Sequence, residues 1–89
     1  MSDKKNQSSS EINFETFILS LGTAVIISLG EVENPVSGKK EKNLPSAKQH
    51  IDILEILSLK TAGNLTAQEK KLLDEILYET RLKYIQQTS

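Results

Sequence analysis

Lys60-Thr61-Ala62-Gly63-Asn64-Leu65-Thr66-Ala67-Gln68-Glu69 closes one helix and opens the next within a few residues. Gly63 can adopt the left-handed C′ conformation, which is costly for a residue with a Cβ. Thr66 and Glu69 have the spacing of a capping box, in which hydroxyl and carboxylate each take a free N–H at a helix start. With Asn64 they make the expected turn and cap set. A connection this short makes its flanking helices antiparallel neighbours. The chain is therefore expected to contain a helical hairpin.

The pattern extends from this turn in both directions. The preceding helix is expected over 44–62, with Asn43 as its cap and Pro45 in the first turn, where a missing N–H is harmless. The following helix is expected over 67–86. Residues 31–43 read as a linker: Asn34-Pro35 disfavours helix, and Gly38 and Lys39-Lys40-Glu41-Lys42 continue the loop. A first helix is expected over 13–30, with Asn13 as N-cap and Glu15 in its first turn. Residues 1–12 are polar and expected to be a disordered tail. The fold class is thus all-α: a long apolar first helix packed on an antiparallel hairpin, in one domain over 13–87.

Composition narrows the function classes. The chain has 89 residues, enough for one small domain, and a formal net charge of −1. That balance gives no general attraction to nucleic acid or anionic lipid. There is no cysteine, so disulfides and thiolate metal sites are excluded. Thr16 to Gly30 carries no charge. The run falls short of the roughly 20 apolar residues of a membrane span, and acids precede it where a signal peptide would be basic. No stable membrane insertion is expected, and a cytoplasmic location is the default.

Each helix has a main apolar face at helical spacing. These faces are Phe14, Phe17, Ile18, Leu21, Val25 and Leu29; then Leu44, Ala47, Ile51, Leu54 and Leu57; then Leu72, Leu73, Ile76, Leu77 and Tyr84. Together they can form one core. A second set remains: Leu19, Gly22 and Ile26 on the first helix, Ile53 and Ile56 on the second, Tyr78, Leu82 and Ile85 on the third. A three-helix monomer needs one apolar face per helix, so these residues are the candidate interface and a homo-oligomer is expected.

Candidate chemistry is sparse. His50 is the only histidine, and with no second His or Cys it reads as a packed or interfacial residue. Asp74 and Glu75 are adjacent and diverge. Glu75 and Glu79 sit beside Lys71 and Lys83, and a pair such as Glu79 to Lys83 is the ordinary account. No phosphate loop or nucleophile elbow appears. No catalytic residue, cofactor or metal is therefore expected. Asp52 and Arg81 are expected to form an ion pair that fixes the hairpin register. A turn centred on Asn64 and Leu65 places Asp52 opposite Leu77, with Arg81 about 6 Å further along.

Ser20-Leu21, Ala24, Leu29-Gly30, Asn34-Pro35, Gly38, Leu44, Ala47, Ile51-Asp52, Leu54, Lys60-Thr61, Gly63-Asn64-Leu65-Thr66, Glu69, Leu72-Leu73, Leu77-Tyr78, Arg81 and Tyr84 form a pattern. It resembles a bacterial domain-of-unknown-function family of short, mostly helical proteins. The resemblance covers about residues 14–85, and Lys-Thr-x-Gly-Asn-Leu-Thr is its most specific part. Ala62 departs from an expected larger polar residue and Gly22 from an expected alanine. The resemblance implies a self-contained helical fold and a bacterial origin, and no activity.

The function these residues favour is a non-enzymatic, self-associating interaction module. One rival is a peripheral membrane protein anchored by the first helix, although that helix lacks the basic face such anchors carry. Another is a ligand-binding or enzymatic site formed between subunits from His50, Asp52, Arg81 and Tyr84.

Overall fold

A computed structural model describes residues 12–88. Except for Ile12, the expected disordered tail lies outside the described residues. The described chain forms three helices, α1 (Phe14–Ser28), α2 (Leu44–Lys60) and α3 (Ala67–Thr88), each packed against the other two. No strand occurs among the described residues; the only extended pairing there is an isolated bridge between Leu29 and Lys42. The all-α expectation holds.

Local hydrogen bonds explain where each helix begins. Asn13 Oδ1 accepts from the Thr16 N–H at 2.9 Å, and the Asn13 N–H donates to Thr16 Oγ1 at 2.9 Å. Asn43 Oδ1 accepts from the Ser46 N–H at 3.1 Å, with Pro45 in the first turn. At α3 the Thr66 N–H donates to Glu69 Oε1 at 2.9 Å, and the Glu69 N–H donates to Thr66 Oγ1 at 3.0 Å. Each start thus satisfies backbone donors that have no partner inside the helix.

The helix ends differ from the sequence expectation. α1 stops at Ser28, not Gly30. Gly30 takes φ +76°, its N–H donates to the Ile27 carbonyl at 3.0 Å, and the Glu31 N–H reaches the Ile26 carbonyl at 3.3 Å. This is the Schellman pattern, with Gly30 at C′. A Cβ there would also lie 3.4 Å from the Glu41 carbonyl oxygen. α2 stops at Lys60, not Ala62. The Thr61 hydroxyl donates to the Leu57 carbonyl at 2.6 Å, and the Asn64 N–H closes a four-residue turn on the Thr61 carbonyl at 2.9 Å. Gly63 is therefore not the C′ residue of α2. It is the third residue of that turn, at φ +80°, the value a type II turn requires there. α3 runs two residues beyond 86, to Thr88.

The linker is built. The Asn34 N–H donates to the Lys39 carbonyl at 2.8 Å, the Gly38 N–H to the Asn34 carbonyl at 2.7 Å, and Asn34 Oδ1 accepts from the Val36 N–H at 2.8 Å. The Asn43 N–H donates to the Ser28 carbonyl at 2.7 Å, tying the start of α2 to the end of α1.

The core is a single cluster. Ile18, Val25, Leu29, Ala47, Leu54 and Leu73 are essentially sealed from water, and Ile51 and Leu77 nearly so. Phe14, Leu21, Leu44, Leu57, Leu72, Ile76 and Tyr84 pack around them. Phe17 departs from expectation: it is 43% exposed and outside the cluster. At 100° per residue it lies about 100° from Ile18, at the margin of the buried stripe. Thr80 is buried although polar, because its hydroxyl donates to the Ile76 carbonyl at 2.7 Å.

These geometries give a ranked stability series. Gly63→Val should destabilise by about 1 kcal/mol or more, because a β-branched residue resists positive φ. Gly30→Val should cost more, since its side chain also meets the Glu41 carbonyl. Thr66→Ala should cost about 0.5–2 kcal/mol through loss of the cap. Urea unfolding followed by circular dichroism checks the order.

Candidate functional site

The proposed Asp52–Arg81 ion pair does not form. Arg81 Nη2 and Nε instead donate to Glu55 Oε2 at 2.8 and 2.9 Å. Asp52 is held by Lys48, one helical turn before it, with both carboxylate oxygens 3.1 Å from Nζ. That hydrogen bond, and then the charge of Asp52, pushes the Lys48 ammonium above its ordinary pKa. The reason for the changed partner is register. Ser58 lies beside Leu77, Tyr78 and Arg81, whereas Ile51, Asp52 and Glu55 lie beside Arg81, Tyr84 and Ile85. A turn symmetric about Asn64 and Leu65 would have set Asp52 against Leu77. The six residues 61–66 shift α3 along α2, and the longer glutamate captures the guanidinium.

His50 is anchored within its own helix. Its Nδ1 lies 2.8 Å from the Ser46 carbonyl, so the ring proton sits on Nδ1 and is donated there. Asp52, Arg81 and Tyr84 line one shallow depression, and His50 is not part of it. The structure therefore brings together three of the four residues considered for a site between subunits. Among the described residues no group of three or more His, Asp or Glu side chains is placed to hold a metal ion. Nor is any helix there long and apolar enough to cross a membrane.

The candidate interface residues of α1 and α3, apart from Gly22, divide between two surfaces. The first is a ridge on α3, where Tyr78, Leu82 and Ile85 are 65%, 39% and 58% exposed. Ser58 of α2 borders it, as do Asp74 and Arg81. Both of these charges are satisfied within the chain: Lys70 Nζ lies 2.7 Å from Asp74, and Glu55 holds Arg81. On α2, Ile53 and Ile56 are also exposed, with Leu59.

The second surface is a groove between α1 and α3 that encloses about 390 Å³. Leu19 and Ile26 form one wall, Leu72 and Ile76 the other, and Val32 closes one end. Gly22 corrects the sequence reading. It is buried, not part of an outer stripe, because α3 passes directly over it: a Cβ at Gly22 would lie 3.0 Å from Ile76 Cγ2. At the end of α1, Ser28 Oγ donates to Ser46 Oγ of α2 at 3.0 Å. Lys83 does not pair with Glu79 as expected. Its Nζ lies 3.2 Å from Glu31 Oε1, clamping the α1–α2 loop onto α3 next to Val32. A contact 52 residues apart has no local signature in sequence.

The fold and these surfaces define a small three-helix domain with apolar side chains exposed on all three helices. The chain belongs to the family described as a domain of unknown function (DUF1844), whose model matches residues 11–86. Neither a curated protein nor a solved structure matches the chain.

The corrected ion pair is testable by double-mutant cycles. Glu55→Gln with Arg81→Gln should show a coupling of about 0.2–1 kcal/mol, the range of exposed pairs. Asp52→Asn with Arg81→Gln should show none beyond error.

Proposed function

We propose that this domain is a non-enzymatic protein-interaction module that self-associates through the α3 ridge. One observation carries the reading: Tyr78, Leu82 and Ile85 are exposed at i, i+4, i+7 spacing on the longest helix, beside Asp74 and Arg81, whose charges are neutralised within the chain. Helical spacing presents the three side chains as one continuous stripe. A second copy laid against that stripe would bury apolar surface on both partners. It would also bring no unmatched charge of Asp74 or Arg81 against its own symmetry mate, the arrangement a two-fold contact needs. The exposed tyrosine suits such a place, since its ring adds apolar area while its hydroxyl stays wet.

Light scattering at tens of micromolar should give the mass of a dimer or larger assembly. Leu82→Glu combined with Tyr78→Lys should lower that mass to a monomer with the helical circular dichroism spectrum unchanged, because the ridge side chains lie outside the core. A monomer mass for the unaltered chain would overturn the reading.

A further inference from the structure

We propose that the α1/α3 groove docks an amphipathic helix of a partner protein, one carrying lysine or arginine along a single edge. The groove is built differently from the ridge. Its α1 wall belongs to Thr16–Gly30, a run without charge. Its α3 rim carries Glu75 and Glu79. Neither carboxylate has a hydrogen bond or ion pair among the described residues. Glu79 lacks its ordinary i+4 partner because Lys83 is drawn to Glu31. Two carboxylates one turn apart repel each other, and they stand beside apolar walls where a matched cation would be favoured. The surface is therefore apolar in its floor and singly acidic on one rim.

That asymmetry selects the occupant. A third helix laid into the furrow between two others can bury an i, i+3, i+4, i+7 stripe against Leu19, Ile26, Leu72 and Ile76. Basic residues on the edge facing α3 would meet Glu75 and Glu79. A second copy seated groove to groove is disfavoured, since it would add unpaired carboxylates to the same interface. An anionic lipid surface meets the same repulsion. The groove and the ridge adjoin along α3, since Glu75 and Glu79 of the groove rim also line a depression with Tyr78 of the ridge; docking in the groove uses Leu19, Ile26, Leu72 and Ile76, none of which belongs to the ridge.

The test uses the full chain and two synthetic helical peptides of about five turns. Both carry the same leucine stripe; one has lysine along one edge and the other has glutamate there. Fluorescence anisotropy should show the lysine peptide binding about tenfold more tightly than the glutamate peptide, a gap that narrows in high salt. Glu75→Lys with Glu79→Lys should reverse the preference. Glu75→Gln with Glu79→Gln should abolish it, and serves as the second variant should the reversal disturb folding. Amide shifts in the nuclear magnetic resonance spectrum should fall on Leu19, Thr23, Ile26 and Ile76. Equal binding of the two peptides, no binding of either at millimolar concentration, or shifts confined to Tyr78, Leu82 and Ile85 would each overturn the proposal. Seating of a second copy would overturn it too, and would appear as an oligomer mass that falls in the Glu75→Lys/Glu79→Lys chain.

Discussion

The α1 stripe of Ile18, Gly22, Val25 and Leu29 is the constraint on which the other contacts rest. These residues recur at four-, three- and four-residue spacing and are all buried. α1 lies against both other helices, so the three elements share one core. The missing side chain at Gly22 lets α3 come close enough for Ile76 to fill the gap. Leu29, the C-cap residue, is fully buried and forms the isolated bridge to Lys42, and the backbone just beyond it turns at Gly30. A Cβ at Gly22 would lie 3.0 Å from Ile76 Cγ2, so the Ile76 side chain would have to give way by a few tenths of an ångström. A residue other than glycine at Gly30 would disturb the turn that returns the chain to α2.

The exposed apolar surfaces follow from this packing. A chain of this size buries only part of its apolar surface, and three helices around one cluster leave their outward residues in water. On α3 the remainder forms the ridge. Between α1 and α3 it forms the groove, whose depth comes from the close approach over Gly22 and whose end wall depends on the Glu31–Lys83 clamp. The two surfaces differ in how their charges are matched. Ion pairs within the chain match Asp74 and Arg81 beside the ridge, while Glu75 and Glu79, which stand between Tyr78 and the groove, have no partners among the described residues. Both surfaces expose apolar area, and they differ in the charge that borders it.

Sequence alone carried the local features and missed the distant ones. Asn13, Asn43, Thr66 and Glu69 act through hydrogen bonds three residues long, so their spacing revealed the helix starts. The core residues of α2 and α3 were legible from periodicity for the same reason. Helix ends were harder: Gly30 and Gly63 were each a residue or two away from their expected roles, because bonds to carbonyls end a helix with little choice of side chain. The Asp52–Arg81 pairing failed because it assumed a symmetric turn, and a shift of register changes every partner.

The order of three helices, their starts and most of the core were thus determined by the sequence, since a cap or an apolar stripe needs only neighbours within a turn or two of the chain. Tertiary structure alone decided that Gly22 is buried, that Phe17 is exposed, that Arg81 meets Glu55 and that Lys83 leaves Glu79 for Glu31. Each of these depends on how one helix lies against another, through contacts that span from 26 to 52 residues where they are ion pairs. Translation and rotation of packed helices are set by the sum of many side-chain fits, and no short motif encodes that sum.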